Sequence, residues 1–531
     1  MLLISWSSLA AIFLTGVPVA PGMALPKSLP LKLPITGLPP AKVFPNFCVY
    51  HYRVTTTSAE CQTFVDQAYG CYYSYVWMEA ARSFETAIRH DPNCAMAWLG
   101  LSRAQERWGK GDATVSLKKA KELMTRADDR ERALITARLQ EKGLTEGVTP
   151  DTRRSSARKT IDELLVLYDD DQEAWYYRAE LADGPEKIPY FKALLRLNPL
   201  HPGANHELVH YYENIRRPAL GFPYAEKYIE SSPGIPHPFH MQAHLATRLG
   251  RWDKTSDRSA RAVELERNYH KFMNVKPSED HQFSHHLEIL TISLIHDGRF
   301  AEARKIKDEA QKAGSSHWMP WYRLHVAERD WVQVEKIIEH HRKRDKQQGA
   351  YMAALMYLHR GEIKRAEAEV DALRQAQRGR RDRRSEDRLN EVQGLLSCAS
   401  GSADEGLKLL QRVVDKTKND FSHHAWGNGA YYMEVWGMAA LKTGRLLVAE
   451  EAMLEALAHD PGSVRGALGM QALCEKQGRT AEAAHFGKLA QKFWRRADLE
   501  HFIALKDEFA KAIPSTQSVT NPTGTRTGGE E

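Results

Sequence analysis

Apolar and polar positions follow a helical period over most of the chain, and small residues hold fixed places within it. In WMEAARSFETAIRHDP, Ala80, Phe84, Ala87 and Pro92 stand at offsets of 4, 3 and 5. The first three share one helix face, where small side chains let a partner helix approach, the aromatic ring fills the gap, and the proline closes the helix. The pattern returns in GRFAEARKIKDEA (Gly298, Ala303, Ala310), GEIKRAEAEV (Gly361, Ala366), GRLLVAEEAMLEALAHDP (Gly444, Ala449, Met453, Ala456, Pro461) and GRTAEAAHFGKLA (Gly478, Ala483, Ala490). Each glycine falls where one helix must end and turn, a place that commonly takes a left-handed backbone. Helix pairs are therefore predicted over residues 59–513, least regularly between Thr114 and Pro199, and no strand-rich stretch competes. One amphipathic pair cannot bury its apolar stripe alone, whereas stacked neighbours can.

These residues and their spacing resemble the tetratricopeptide-repeat family. The resemblance implies an all-α solenoid, a right-handed superhelix of about seven to ten antiparallel pairs at ~34 residues each. It also implies a concave groove that takes a protein or peptide partner.

The ends differ from the middle. Residues 1–24 carry an apolar run from Leu2 to Ala20 followed by Gly22-Met23-Ala24, which reads as a probable signal peptide, with an uncleaved membrane anchor as the alternative. A periplasmic or secreted location is expected, with membrane contact only if that segment is retained. Residues 25–58 open with a run rich in proline and leucine and predict an extended arm or linker, and residues 514–531 predict a disordered tail. Of six cysteines, four (48, 61, 71 and 94) lie early in the chain, so one disulfide among them is plausible beside the simpler reading of buried thiols. No CxxC, phosphate-binding glycine loop or GxSxG elbow occurs.

Charge adds little. Lys and Arg number 74 against 68 Asp and Glu, so the net +6 is spread thinly. The run RQAQRGRRDRRSEDR (374–388) mixes acids with bases and has no interleaved aromatics, so no nucleic-acid partner is expected. The aromatic groups at 175–177, 317–323 and 426–436 read as packing anchors more readily than as a ligand groove.

Histidine is the exception. Ten of the 23 lie between His201 and His286. HELVH sets His206 and His210 four apart, HMQAH sets His240 and His244 four apart, and HQFSH does so with His281 and His285. Residues four apart share a helix face, and two or three such pairs facing inward would supply the nitrogen donors of a transition-metal site. His206, His210, His240 and His244 are the first-choice ligands and His285 and His286 the supplements, for a metal such as zinc. Glu207 or Glu213 would act as base or ligand.

This stretch resembles a group of bacterial tetratricopeptide-repeat proteins with HPGAxHxxxH and, one helix pair later, HMPSH. Here the text is HPGANHELVH at 201–210 and HPFHMQAHLATRLGRW at 237–252, with Gln242-Ala243 in place of Pro-Ser. HELVH also matches the HExxH motif of zinc peptidases, in which the glutamate is the base, and Glu230 stands at an interval suited to a third ligand. A metal-dependent hydrolase is thus the enzyme class to weigh, beside a non-catalytic scaffold. The simplest alternative leaves the histidines hydrogen-bonded across repeats and stacked on Tyr211, Tyr212 and Phe239.

Overall fold

The computed structural model describes residues 31–280, 282–315, 319–377, 383–419 and 428–514. Among these are 25 α-helices and no strand. The pairs are α1 (Ala59–Tyr73) with α2 (Trp77–His90), α3 (Ala95–Trp108) with α4 (Ala113–Glu122), and α5 (Asp129–Glu141) with α6 (Arg153–Leu167). Next come α7 (Gln172–Glu180) with α8 (Lys187–Leu197), α9 (Pro202–Asn214) with α10 (Pro218–Ser231), and α11 (Pro236–Arg248) with α12 (Trp252–Met273). They are followed by α13 (Phe283–His296) with α14 (Phe300–Lys312), α15 (Met319–Ala327) with α16 (Trp331–Arg342), and α17 (Lys346–Arg360) with α18 (Ile363–Ala376). The series ends with α19 (Arg383–Ala399) and α20 (Ala403–Thr417), α21 (Tyr431–Lys442) and α22 (Leu446–His459), α23 (Val464–Lys476) and α24 (Thr480–Phe493), and a last single helix α25 (Leu499–Ala512).

That is twelve pairs rather than the seven to ten expected. The excess comes largely from residues 114–199, where short helices such as α7 and α8 (9 and 11 residues) lack the small-residue signature.

The signature positions do what their chemistry requires. Ala80, Phe84 and Ala87 are buried, and a Cβ on Gly100 of α3 would fall 2.2 Å from the Phe84 ring, so the glycine is what admits the aromatic. Gly298, Gly361, Gly444 and Gly478 all have φ between 70° and 73°. Tyr176, Tyr177, Trp321, Tyr322 and Trp436 are core residues. No helix of the described residues is long and apolar enough to cross a membrane, and all six cysteines are free thiols.

Two long-range features shape the array. Residues 31–58 run without helix or strand across α1, α2, α5, α7 and α10, with Leu33, Tyr50 and Val54 buried. Helix side chains read this segment's backbone: Glu85 accepts from Ile35 and Thr36 N–H (2.6 and 2.7 Å), Gln67 from Phe44 (2.9 Å) and Glu131 from Thr55 (2.6 Å). The hydroxyls of Tyr50 and Tyr52 reach into α7 and its N-cap, donating to Glu173 (2.8 Å) and Asp171 (3.0 Å).

The second feature is closure. The C-terminal pairs return to the middle of the chain, where Trp252 Nε1 donates to Asp460 at 3.0 Å, Trp494 Nε1 donates to the His296 carbonyl at 2.7 Å, and Arg496 pairs with Asp297 at 2.6 Å. Gly250 and Gly462 touch backbone to backbone: a Cβ on Gly462 would lie 2.0 Å from Gly250 O.

Candidate metal centre

The first helices of consecutive pairs, α9, α11 and α13, carry the histidines. His240 and His244 follow His206 and His210 by 34 residues, so the two pairs occupy the same register on neighbouring helices. Proline opens both helices, Pro202 in α9 and Pro236 in α11, with its fixed φ suited to a first turn.

Two triads result. His206, His210 and His237 bring one ring nitrogen each within 4.8 Å of one another, and so do His240, His244 and His285. Each triad is a pair from one helix closed by a histidine of the next pair's first helix. Imidazoles bound at about 2.1 Å to one tetrahedral ion lie roughly 3.4 Å apart, so a small contraction would complete either set.

Oxygen atoms behind the rings orient them. His206 Nδ1 lies 2.7 Å from the Tyr73 carbonyl, which can only accept, so the proton sits on Nδ1 and the Nε2 lone pair faces His237 Nε2 at 3.0 Å. His244 Nδ1 lies 3.4 Å from Glu213, whose charge Arg248 balances at 3.1 Å. His285 Nδ1 lies 3.6 Å from Glu288, and His286 Nδ1 lies 2.9 Å from Glu266. Backing of an imidazole by a carbonyl or carboxylate is what metal-ligating histidines usually have. By contrast, His210 Nε2 and His237 Nδ1 are buried with no hydrogen-bond partner among the described residues.

Protonation suits the same role, because a ligand must be neutral. Burial, reinforced by neighbouring histidines, holds His206, His237 and His240 well below the usual imidazole range. Burial likewise lowers His210 to about 4. For Glu213, burial pushes upward, but the bond from His244 and the charge of Arg248 outweigh it and hold the carboxylate at about 2.

The other candidates have separate places. Glu207 accepts from the Tyr75 hydroxyl at 2.7 Å, and burial raises its pKa. Glu213 stands behind His244, not within either triad. Glu230 pairs with Lys227 at the surface (2.7 Å), so the third member of the HELVH triad is His237. His286 packs behind His240, with ring centroids 4.4 Å apart, and His281 lies outside the described residues. Tyr75 and Tyr228 are the tyrosines against His206 (4.4 and 5.0 Å), where Tyr211, Tyr212 and Phe239 had been expected; Tyr211 and Tyr212 pack on each other instead.

Residues 77–113, spanning α2, α3 and the first residue of α4, match the tetratricopeptide repeat. The fold as a whole is all-helical, a tetratricopeptide-repeat-like α-solenoid. Three solved structures share a likeness of low score. The TPR domain of P58(IPK) is 11% identical, covering 82% of this chain and 100% of that one, with a TM-score of 0.24. The APC/C hetero-tetramer Cut9-Hcn1 is 9% identical over 86% and 84% of the two chains (TM-score 0.29), and the human IFIT1 dimer with m7Gppp-AAAA is 14% identical over 82% and 90% (TM-score 0.27). No curated protein matches the chain in sequence.

Within this helical array, sequence reasoning passed over two residues of the centre. His237 is three positions before His240, which makes 237, 240 and 244 one stripe on α11, but it stands outside the four-residue HxxxH spacing that singled out the other histidines. Tyr75 sits between α1 and α2 with φ at +59°, a conformation costly for a bulky residue, and packs its ring on His206, His210 and His237. Nothing periodic marks it.

Proposed function

We propose that this tetratricopeptide-repeat protein binds a transition-metal ion through the histidines of its central repeats. The observation that carries the reading is the triad His206, His210 and His237: three nitrogen donors from two helices, with His206 fixed by a backbone carbonyl so that its lone pair faces inward. Three imidazoles leave a tetrahedral ion one open position for water or substrate. Glu207, one residue from His206 and held by Tyr75, is the nearest candidate for a base on that water. Imidazole donors suit zinc, copper, iron and nickel.

Purified full-length protein should retain metal after dialysis, and His206→Ala/His240→Ala should lose it while its helical circular dichroism is kept. Equal metal content in the two proteins would reject the reading.

Tetratricopeptide repeats generally mediate protein–protein contacts, and a protein or peptide partner on the remaining solenoid surface is part of the same proposal. Residues 31–58 already occupy the face made by α1, α2, α5 and α7, so the partner's site is assigned to later repeats. Export to a periplasmic or secreted location is proposed on residues 1–24, which lie outside the described residues. Sequencing of the mature protein should then start near Leu25; a retained Met1 in a cytosolic fraction would count against it.

A further inference from the structure

The geometry points to the two triads being one centre: a coupled pair of copper ions that share a small bridging anion between helices α9, α11 and α13. The inference rests on the metal reading above and concerns how many ions bind, which metal they are, and what lies between them.

The triads are not independent sites. Helix α11 serves both, giving His237 to the first and His240 and His244 to the second, and the His237 and His240 ring centroids are 5.6 Å apart. His206 lies 4.7 Å from His237, while His240 lies 4.3 Å from His244 and 4.9 Å from His285, so the rings form an unbroken chain. In each of three rings an oxygen approaches Nδ1, the Tyr73 carbonyl at His206, Glu213 at His244 and Glu288 at His285, which leaves Nε2 as the donor to metal. The 34-residue register gives the two helix pairs the same orientation. Two ions bound in these triads would therefore be neighbours along one chain of rings, close enough to share a ligand.

Charge decides what fills that space. All six donors are imidazoles, which bind metal in their neutral form, so two divalent ions would bring four positive charges into a largely buried site without a carboxylate ligand. The nearby carboxylates belong to neither triad: Glu213 pairs with Arg248 and His244, Glu207 accepts from the Tyr75 hydroxyl, Glu266 lies against His286, and Glu288 lies 3.6 Å from His285 Nδ1. Uncompensated charge in such surroundings is costly, and an anion shared by both ions removes it with one ligand. An all-nitrogen set without carboxylate disfavours magnesium, calcium and manganese, and copper(II) binds nitrogen donors most tightly among the first-row divalent ions.

The test uses full-length apoprotein loaded with copper(II), dialysed, and treated with azide as the bridging probe. Wild type should hold two coppers per chain, with the electron paramagnetic resonance signal per copper less than half that of a single-site protein, or with a half-field transition. His285→Ala and His237→Ala should each hold one copper with a full, unquenched signal; His285 is only half-buried, so its variant keeps the fold, which circular dichroism checks. Two coppers with full, independent signals would overturn the coupling. A single copper in wild type, lost in His237→Ala, would overturn the pair and leave the one-ion reading standing. Copper no greater than in a variant with all six histidines replaced would overturn both.

Discussion

Asp460→Asn should stabilise the protein at neutral and alkaline pH and lose most of that advantage in acid. Asp460 follows α22 where the C-terminal pairs meet α12; it is 3% exposed and accepts hydrogen bonds from Trp252 Nε1 (3.0 Å) and Gly462 N (2.9 Å). Burial first, then the charge of Glu434, raises its carboxyl from 3.8 to about 7. The sign follows from linkage: below pH 4 the folded and unfolded chains both hold the proton, whereas between about 4 and 7 only the folded chain does. Stability therefore falls as pH rises through that window and stays lower above it. A shift of about 3 units at ~1.4 kcal/mol each amounts to about 4 kcal/mol at pH 8. Asparagine keeps one accepting oxygen for Trp252 and Gly462 but brings an amide N–H2 where an oxygen accepted, at a cost of about 1–2 kcal/mol. The net gain should be about 2–3 kcal/mol at pH 8, shrinking to zero or reversing near pH 4. Urea unfolding followed by tryptophan fluorescence and far-ultraviolet circular dichroism at both pH values reads this directly; two probes are needed because long repeat arrays can unfold in parts. A difference between the proteins that does not change with pH would refute the reasoning, since it would mean that Asp460 is ionised in the folded chain.

Two further substitutions probe closure and the metal centre. Gly462→Ala places a methyl 2.0 Å from the Gly250 carbonyl, so the two turns must part; an increased radius of gyration in solution scattering with unchanged helix content is expected, and an unchanged radius would contradict the contact. Glu213→Gln weakens the backing of His244 without removing a ligand, and metal affinity in a chelator competition should fall about 10–100-fold; an unaltered affinity would show that Glu213 orients nothing.

Much of this architecture was legible because it repeats. Ala80, Phe84 and Ala87, or Gly444 with Ala449 and Ala456, mark helix contacts that recur with each pair, and His206/His210 and His240/His244 share faces for the same reason. What was not legible is what happens once. Tyr75 reaches the centre through a left-handed turn, His237 stands between the prolines of a helix's first turn and outside the HxxxH spacing, and Asp460 meets Trp252 across more than 200 residues. The pairs between Thr114 and Pro199 were the least regular to read because some of their helices are short and Tyr176, Tyr177 and Phe191 share their core with the buried alanines. Parts of the basic run at 374–388 and of the aromatic groups at 317–323 and 426–436 lie outside the described residues.

The extended segment at 31–58 has a consequence for how the protein is made. Repeat arrays ordinarily allow each unit to fold on its predecessor as it leaves the ribosome. Here the segment ahead of α1 has partners as late as Ser231, whose carbonyl accepts from Val49, and Phe272, whose carbonyl accepts from Lys42. Its full seat exists only when the six helix pairs that follow it have been translated, so a segment that precedes these helices settles after them, and the six pairs are bound into one cooperative block.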